Sequence, residues 1–253
     1  MVYDVSRLKA IMPQDISTLR VFDEIDSTSS EARRYAMSGG SDAALFLADR
    51  QSGGRGRMGR SFYSPSGAGV YLSLLLPLPE NSSDVIFITS AASVAVRRAI
   101  LDVTGIPTGI KWVNDLYYRD RKVCGILCEA MAEQGSMIIG VGVNLYPSEL
   151  PKEISDIAGA LLDTKADERT REDLVAAIVR ELLNILHELR GGGFIDEYRE
   201  SSIVLGKEIR YVQNGVSHVG VATYINELGH LYVRDAEDNT QILSSGEISV
   251  RFK

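Results

Sequence analysis

Cysteine and histidine are scarce in this chain of 253 residues. Two cysteines, Cys124 and Cys128, are too few for a disulfide framework, so we expect a reducing compartment. They lie in an apolar stretch and are predicted to be core thiols rather than metal ligands. His187, His218 and His230 are scattered and have no triad-like setting, so we predict structural or surface roles for them.

Long hydrophobic runs are also missing. No apolar segment approaches the length of a membrane span, and no basic-then-apolar segment resembles a signal peptide. Acidic residues outnumber basic ones by 34 to 27, and the net charge of -7 disfavours a general nucleic-acid binder. With 45% hydrophobic residues, the chain is able to bury a large core. We expect a cytoplasmic globular protein with no membrane partner.

The hydrophobic pattern predicts an α+β protein. Thr28 and Glu31 have the spacing of a helix capping box, and alternating apolar runs joined by turns predict an antiparallel meander. The predicted helices are 29–38, 84–103, 170–190 and 194–201. The predicted strands are 18–25, 43–49, 70–76, 109–114 with a continuation over 116–118 after a kink, 123–131 and 137–144. After Val204, short alternating strands are separated by turn sequences. These patterns predict two domains, 1–203 and 204–253, and the second is a small all-β module.

The segment from Gly53 to Arg60 is rich in arginine and glycine. No acidic residue occurs between Arg50 and Pro79, so these arginines have no neighbour in sequence that neutralises them. Arginine supplies a permanent charge and forked donors that suit phosphate or carboxylate, and glycine lets the backbone approach a ligand. Because predicted strands anchor both ends, we predict a loop that orders over an anion. The alternatives are a flexible surface loop and an RNA-binding Arg-Gly stretch.

A lysine lies within an apolar strand pattern that ends in Asn114 and Asp115. Strand alternation places Lys111 and Val113 on one face, opposite the face that carries Trp112. A lysine in such a run is usually paired or functional, and the Asn-Asp pair is able to bind a metal ion or to orient donors. The alternative is an ordinary edge strand with a snorkelling lysine and an Asx turn.

Glycines interrupt the two strands that follow. Lys122 lies at the entrance of the first strand, and Gly125 leaves space beside its backbone for a ligand. Gly140 and Gly142 occupy alternate positions of the second strand. Such positions favour either a bulge or a place where a flat ring packs on the backbone.

Taken in order, these segments resemble the biotin–protein ligases. The matching segments are Asp26-Ser27-Thr28, Gln51 through Arg60, Ser64-Pro65, Lys111-Trp112-x-Asn114-Asp115, Arg121-Lys122-x-x-Gly125-Ile126-Leu127 and Gly140-x-Gly142-x-Asn144. The resemblance covers 21–144 strongly and the tail motif Gly246-Glu247-Ile248-Ser249 more loosely. No single motif decides it, and the order and spacing of all of them carry the resemblance.

The resemblance implies a fold and a reaction. The expected catalytic domain resembles class II aminoacyl-tRNA synthetases, with a mixed, mainly antiparallel sheet flanked by helices, and is followed by a small SH3-like β-barrel. The expected ligase activates biotin with ATP and Mg²⁺ to biotinyl-5′-AMP, then transfers it to a lysine of a biotin carboxyl carrier domain. The family also allows a homodimer. A lipoate or octanoate ligase would share the fold, but its arginine–glycine patterns differ.

The resemblance also implies which residues form the site. The expected biotin-binding residues are Ser27, Thr28, Ser29, Gln51, Arg55, Gly56, Arg57, Lys122, Gly125 and Gly140. The expected residues for ATP and the adenylate are Gly54, Arg55, Arg57, Arg60, Lys111, Asn114 and Asn144. Lys111, Arg57 and Arg60 would be catalytic, and Asp115 would serve magnesium.

This sequence departs from the family pattern in three places. Ser29 stands where the family usually has Asn, and Val113 stands where it commonly has Pro. Some bacterial members carry an N-terminal DNA-binding domain, whereas the catalytic pattern here starts near Val21. We therefore expect no such domain, no repressor function and no DNA partner.

Overall fold

The structure is a computed structural model that describes residues 3–78, 85–165, 167, 169–189, 193–213, 215–244 and 248–250. Within these ranges the helices are α1 (Val5–Ile11), α2 (Thr28–Met37), α3 (Val85–Thr104), α4 (Thr170–Glu188) and α5 (Phe194–Glu200). The strands are β1 (Thr18–Ile25), β2 (Ala44–Gln51), β3 (Gly69–Pro77), β4 (Gly109–Lys111), β5 (Asp115–Tyr118), β6 (Arg121–Met131), β7 (Ser136–Asn144), β8 (Glu208–Gln213), β9 (Val216–Ile225), β10 (Leu231–Arg234), β11 (Thr240–Leu243) and β12 (Ile248–Val250). None of these helices is long and apolar enough to cross a membrane.

The first seven strands form one mixed sheet in the order β1-β2-β3-β7-β6-β5-β4. The β1–β2 pair is parallel, and the other neighbouring pairs are antiparallel. The register places Gly125 directly opposite Gly142, and Gly140 lies opposite Ser73. The predicted mixed, mainly antiparallel sheet is confirmed, and its glycines lie side by side on β6 and β7.

Helices cover both faces of this sheet. Leu45 and Leu47 of β2 join the main core with α3 and α4, while Phe46 joins a smaller cluster with Ala32 of α2. Because successive side chains of a strand point to opposite faces, a strand that is covered on both faces reads as a continuous apolar run. The helices α3 and α4 therefore lie on one face, and α2 lies on the other.

The remaining strands form a five-stranded antiparallel sheet in the order β11-β10-β9-β8-β12. Its inner residues, such as Ile209 and Leu231, belong to the same buried cluster as α3 and α4. The Trp112 Nε1–H group also donates to the Gly229 carbonyl oxygen at 2.8 Å. The second sheet is thus packed directly against the turn after β4.

The predicted helix positions 84 and 190 and the motif positions 246 and 247 lie outside the described residues.

The helix α1 is absent from the sequence-based prediction. Asp4 caps it, because its carboxylate accepts from the Arg7 backbone N–H at 3.0 Å. Leu8 is the helix's one fully buried side chain. A helix of 7 residues with one buried position shows too little periodicity to be recognised in the sequence.

The predicted capping box at the start of α2 is displaced by one residue. Ser27 is the N-cap, and its hydroxyl accepts from the Ser30 N–H at 3.4 Å. The Thr28 hydroxyl instead lies 3.2 Å from Gln51 Oε1 and 2.8 Å from Ser73 Oγ. Thr28 is therefore held by residues that are distant in sequence.

The strand predicted over 109–114 ends three residues early, and the predicted continuation over 116–118 is a separate strand. The first, β4, ends at Lys111, and after a three-residue turn β5 pairs back with Asp115 opposite Lys111. Trp112 and Val113 both lie in the turn and are both buried. The prediction that Lys111 and Val113 share one strand face is therefore wrong, because strand alternation ends with the strand.

Candidate active site

The arginine–glycine loop between β2 and β3 folds back on itself as an irregular hairpin. The chain pairs Gln51 with Ser64 across the loop, and the Phe62 N–H donates to the Gly54 carbonyl at 2.8 Å. A single 3₁₀ turn, Arg57–Gly59, forms the tip. The loop is thus ordered by its own backbone hydrogen bonds.

A cavity of about 290 Å³ lies between this loop and the strands β6 and β7. All but two of the predicted site residues line it. They are Ser27, Thr28, Ser29, Gln51, Arg55, Gly56, Arg57, Arg60, Lys111, Asn114, Asp115, Lys122, Gly125 and Gly140. Residues from five separate stretches of the chain therefore meet at one place.

Two of the predicted site residues, Gly54 and Asn144, are not found in the described part of this lining. Gly54 packs behind the loop, where an added Cβ would lie 2.3 Å from the Phe62 carbonyl oxygen. Asn144 ends β7, and its carbonyl oxygen accepts from the Leu161 N–H at 3.0 Å. In this structure, Gly54 shapes the loop, and Asn144 lies at the end of the sheet.

Uncharged hydrogen-bonding groups form the floor of the cavity on the side of α2 and β3. Thr28 and Ser29 are buried in the first turn of α2. The Thr28 N–H donates to Gln51 Oε1 at 2.8 Å, and Ser29 Oγ lies 3.0 Å from Ser73 Oγ. This floor suits the neutral polar end of a ligand, because its groups offer hydrogen bonds without charge.

Cationic groups gather on the side of β4 and β5. Arg57 donates to Asn114 Oδ1 at 3.1 Å, which ties the loop tip to the β4–β5 turn. Lys122 Nζ lies 2.7 Å from Asp115 Oδ1. The ammonium group of Lys111, at the end of β4, adds a third positive charge to this side, where Asp115 carries the one negative charge of the described lining residues. This side of the cavity is suited to an anionic group.

Tyr117 is a lining residue that the sequence analysis did not identify. Its hydroxyl oxygen accepts from Lys111 Nζ at 3.4 Å. Burial raises the pKa of Tyr117 to about 12, and the Asp115 carboxylate adds to the rise. The phenol is therefore neutral, and it holds the Lys111 ammonium without cancelling its charge.

Two loop arginines are neutralised by residues far away in the sequence. Arg50 pairs with Glu24 at 3.1 Å. Arg55 pairs with Glu129 at 3.1 Å, and the same carboxylate binds Arg33 of α2 at 2.8 Å. The sequence offered no partner within the loop, but the fold supplies one from β1 and one from β6. The charge facing a ligand is thus smaller than the number of loop arginines suggests.

Phe62 is another lining residue that sequence reasoning missed. Its ring lies on the two facing glycines, because an added Cβ would come within 2.5 Å of the ring at Gly142 and within 3.2 Å at Gly125. For Gly140 and Gly142 the sequence left a bulge or a packed flat ring as alternatives. A ring of the chain itself packs on Gly142, whereas the atom nearest to Gly140 is Ser29 Oγ. The available signal was an aromatic residue just after the loop, opposite two strands that contain glycine.

The two cysteines lie in β6 and are both free. Cys124 is fully buried, and burial raises the pKa of the Cys128 thiol to about 12. The described residues contain no group of three or more His, Cys, Asp or Glu side chains that could hold a metal ion. Cys124 lies in the main core and Cys128 is partly buried against it, which agrees with the predicted role of both as core thiols.

The sheet, the loop and the two-sided cavity lie in a domain that matches a known family. Residues 22–144 match the model of the biotin/lipoate A/B protein ligase family, and the chain carries a domain of that family. The match runs from Phe22, within β1, to the end of β7, so it includes the seven-stranded sheet apart from the first half of β1. The family predicted from the sequence motifs is confirmed.

Relatives of known name are biotin ligases. A biotin–[acetyl-CoA-carboxylase] ligase of Mycobacterium tuberculosis is 29% identical over 91% of this chain and 88% of that protein. The bifunctional ligase/repressor BirA of Bacillus subtilis is 36% identical over 62% of this chain, and the match spans half (50%) of that relative's length. The solved biotin protein ligase from Aquifex aeolicus, in complex with biotin and ATP, has a TM-score of 0.79 and 27% identity over 94% of this chain and 100% of that one.

Proposed function

We propose that this protein is a biotin–protein ligase. It activates biotin with ATP to biotinyl-5′-AMP and transfers the biotinyl group to a lysine of a biotin carboxyl carrier domain. The observation that carries this proposal is the two-sided cavity, with uncharged hydrogen-bonding groups at α2 and cationic groups at β4 and β5. Biotin has a neutral polar ring system at one end and a carboxylate at the other, so it matches both sides. The names of the relatives support the same reaction.

Each side of the cavity has its own task in this reaction. Ser27, Thr28 and Ser29 hold the ureido ring, and Gln51 orients them. Lys122 and Arg57 direct the carboxylate toward the nucleotide. In the first step, a carboxylate oxygen attacks the α-phosphorus of ATP and pyrophosphate leaves. In the second step, the acceptor lysine amine attacks the activated carbonyl carbon and AMP leaves.

Positive side chains lower the barrier of the first step. Negative charge accumulates on the phosphate oxygens during the attack, and fixed donors stabilise it more in the transition state than in the ground state. Lys111, Arg57 and Arg60 line the cavity and supply these donors. They need no large rearrangement, because Lys111 is held by Tyr117 and Arg57 by Asn114.

Magnesium fits this site as an ion that enters with the nucleotide. Mg²⁺ is usually bound by one or two carboxylates together with substrate phosphates, and Asp115 supplies one carboxylate in the lining. When bound, the ion would neutralise phosphate charge. Lys122 holds the Asp115 carboxylate in an ion pair. If that carboxylate binds the metal ion instead, the Lys122 ammonium group would be available to bind a phosphate group.

The loop also protects the intermediate. Biotinyl-5′-AMP is a mixed anhydride that water destroys, so a covered cavity raises the yield of the second step. The Arg57–Asn114 contact holds the loop tip against the β4–β5 turn. Both free cysteines are in keeping with a cytoplasmic location.

We also propose that 204–253 is a separate small domain with an SH3-like barrel fold. Its five antiparallel strands support this proposal. The domain contributes Ile248 of β12 to the cavity lining, and the Trp112–Gly229 hydrogen bond fixes its position against the turn after β4.

One assay tests the proposed function. The purified chain is incubated with ATP and labelled pyrophosphate, with and without biotin. Exchange of the label into ATP should depend on biotin, and a later incubation should move labelled biotin onto a carboxyl carrier domain. Lipoate serves as the competing substrate. Exchange that follows lipoate rather than biotin, or no exchange with either, would contradict the proposal.

The loop tip gives a second test. The variant Arg57→Gly should keep its fold, because Arg57 lies in a surface loop, but should release biotinyl-5′-AMP early. Losing one charge-assisted hydrogen bond predicts release that is faster by roughly tenfold or more. The measurement is the half-life of the enzyme-bound intermediate after rapid gel filtration.

Arg50→Gly is the matched control for that variant. Arg50 lies at the start of the same loop, is paired with Glu24 and is not among the described lining residues. Its half-life should equal that of the wild type. Unchanged retention of the intermediate in Arg57→Gly would refute the closing role of Arg57.

A further inference from the structure

A continuous line of hydrogen bonds runs behind the cavity from the loop to the floor. It passes in order through Phe62, Ser64, Gln51, Thr28, Ser73 and Ser29, with successive distances of 3.0, 2.9, 3.2, 2.8 and 3.0 Å. The four hydroxyl groups in it belong to buried residues. Their orientations are therefore set by one another rather than by bulk water.

At the loop end of this line, the chemistry of the groups fixes which atom donates each hydrogen bond. The carbonyl oxygen of Phe62 can only accept, so the Ser64 hydroxyl donates to it. Ser64 Oγ then accepts from the Gln51 side-chain nitrogen. The Thr28 backbone N–H can only donate, and it lies 2.8 Å from Gln51 Oε1. This contact fixes which end of the amide is the oxygen.

The same argument assigns the donor and the acceptor of each hydrogen bond as far as the floor of the cavity. An amide oxygen cannot donate, so the proton between Gln51 and Thr28 Oγ1 belongs to Thr28. Each hydroxyl has a single proton. Ser73 must therefore donate to Thr28, and Ser29 must donate to Ser73. Ser29 Oγ is left with lone pairs to offer, so it acts as an acceptor toward the cavity.

Glycines stand at both ends of this line, where a side chain would break it. An added Cβ on Gly54 would lie 2.3 Å from the Phe62 carbonyl oxygen and 2.9 Å from Ser64 Oγ. An added Cβ on Gly140 would lie 2.7 Å from Ser29 Oγ. The glycines thus preserve the first and last hydrogen bonds.

We infer that Ser73 is a positioning residue that sets the direction of the hydrogen bonds at the cavity floor, so that Ser29 accepts a hydrogen bond from a ligand N–H group. Ser73 is 0% exposed and is not among the described residues of the lining, so it acts through Ser29 and Thr28. A buried hydroxyl in an apolar strand is costly unless it is hydrogen-bonded. The inference rests on the proposed function, in which the N–H belongs to the ureido ring of biotin.

The test reverses the hydrogen-bonding character of the ligand. Biotin is compared with the two cyclic carbamates in which one ureido N–H is replaced by oxygen, which keeps the shape but turns a donor into an acceptor. The wild type should prefer biotin to one of the carbamates by at least about tenfold in KM, with kcat less affected. In Ser73→Ala, the Ser29 proton is free to turn to the ligand, and this preference should fall by roughly tenfold.

Control variants distinguish an effect on hydrogen-bond direction from a general packing defect. Ser73→Thr keeps the hydroxyl and should restore the preference. Ser136→Ala removes a buried hydroxyl of β7 that donates to the Gln134 carbonyl at 3.1 Å, and it should change nothing. If Ser73→Ala does not fold, Ser29→Ala should erase the same preference.

The outcomes are distinguishable. A wild type that uses biotin but treats both carbamates like biotin would overturn the inference and leave the proposed function intact. A Ser73→Ala variant that weakens all three ligands equally would also overturn it, because that is the result of a general packing defect. A wild type with no activity toward biotin would instead remove the proposed function itself.

Discussion

The variant Lys111→Ala should lower the rate of biotin-dependent ATP–pyrophosphate exchange by about 10²–10³-fold, the range for removal of one preorganised donor to a transition state. Lys111 ends β4, where the chain turns, and its ammonium lines the cavity. A hydrogen bond to neutral Tyr117 holds it there at 3.4 Å. In the proposed reaction, the loss should fall mainly on kcat, because the charge that Lys111 would stabilise develops during the attack on the α-phosphorus.

Two companion variants make that result specific. Lys9→Ala removes an exposed lysine of α1 and should leave the exchange rate unchanged. Lys111→Arg keeps the charge on a wider, planar group, so it should recover part of the rate. If Lys111→Ala keeps its rate within about threefold of the wild type, Lys111 is not a transition-state donor.

The variant Asp49→Asn should reduce the free energy of unfolding by about 3–5 kcal/mol at pH 7, the range for removing one partner of a buried ion pair. Asp49 Oδ1 lies 2.8 Å from Arg171 Nη2, and the side chains are 3% and 5% exposed. The guanidinium also donates to the Gly69 carbonyl at 2.9 Å and to the Tyr3 hydroxyl at 2.7 Å. Asparagine would keep the shape but leave Arg171 buried without a counter-charge. Urea unfolding measures the change.

The pH dependence of this effect has a definite sign. Burial raises the pKa of Asp49, but hydrogen bonds from Ser66 and the Gly67 N–H and the charge of Arg171 outweigh it, so the net pKa is lowered. A carboxylate with a lowered pKa stabilises the fold above its unfolded value of about 3.9 and loses that contribution as the pH falls. The difference between wild type and Asp49→Asn should therefore be full at pH 7 and shrink below about pH 4.

An exposed pair provides the control for this stability change. Asp102 and Arg180 lie 2.9 Å apart, with side chains that are 64% and 50% exposed. Asp102→Asn should change the free energy of unfolding by less than about 1 kcal/mol. Equal losses in both aspartate variants would show that burial of the Asp49–Arg171 pair does not matter.

Much of the cavity could be predicted from sequence, because its residues occur in compact motifs. Lys111 and Asp115 belong to one motif, and Gln51 and Arg57 belong to another. Each motif fixes residue types and spacing, and the family resemblance assigns them to one site. The helix at 170–188 was also predictable, because a long amphipathic run is the strongest local signal.

Other features depend on contacts between residues that are far apart in sequence. The sequence gives no indication that Glu129 neutralises Arg55, that Phe62 lies on Gly142 or that Ile248 reaches the cavity. These contacts arise because the loop folds over the neighbouring strands β6 and β7, and because β12 of the second sheet reaches the same cavity. Local pattern encodes neither arrangement. The break in the strand was predicted after Asn114 but occurs after Lys111, and Trp112 in the turn bonds to Gly229, which is distant in sequence.

The sequence by itself determined which chemical groups the site contains: hydroxyls at the start of α2, guanidinium groups in the loop and one ammonium group each from Lys111 and Lys122. Only the tertiary structure decided how those groups act. It pairs Arg50 and Arg55 with carboxylates, ties Arg57 to Asn114 and Lys111 to the neutral phenol of Tyr117, and places the Ser29 hydroxyl within hydrogen-bonding distance of Ser73. The physical reason is that charge and hydrogen-bond direction depend on the nearest neighbours in space, and those neighbours come from distant parts of the chain.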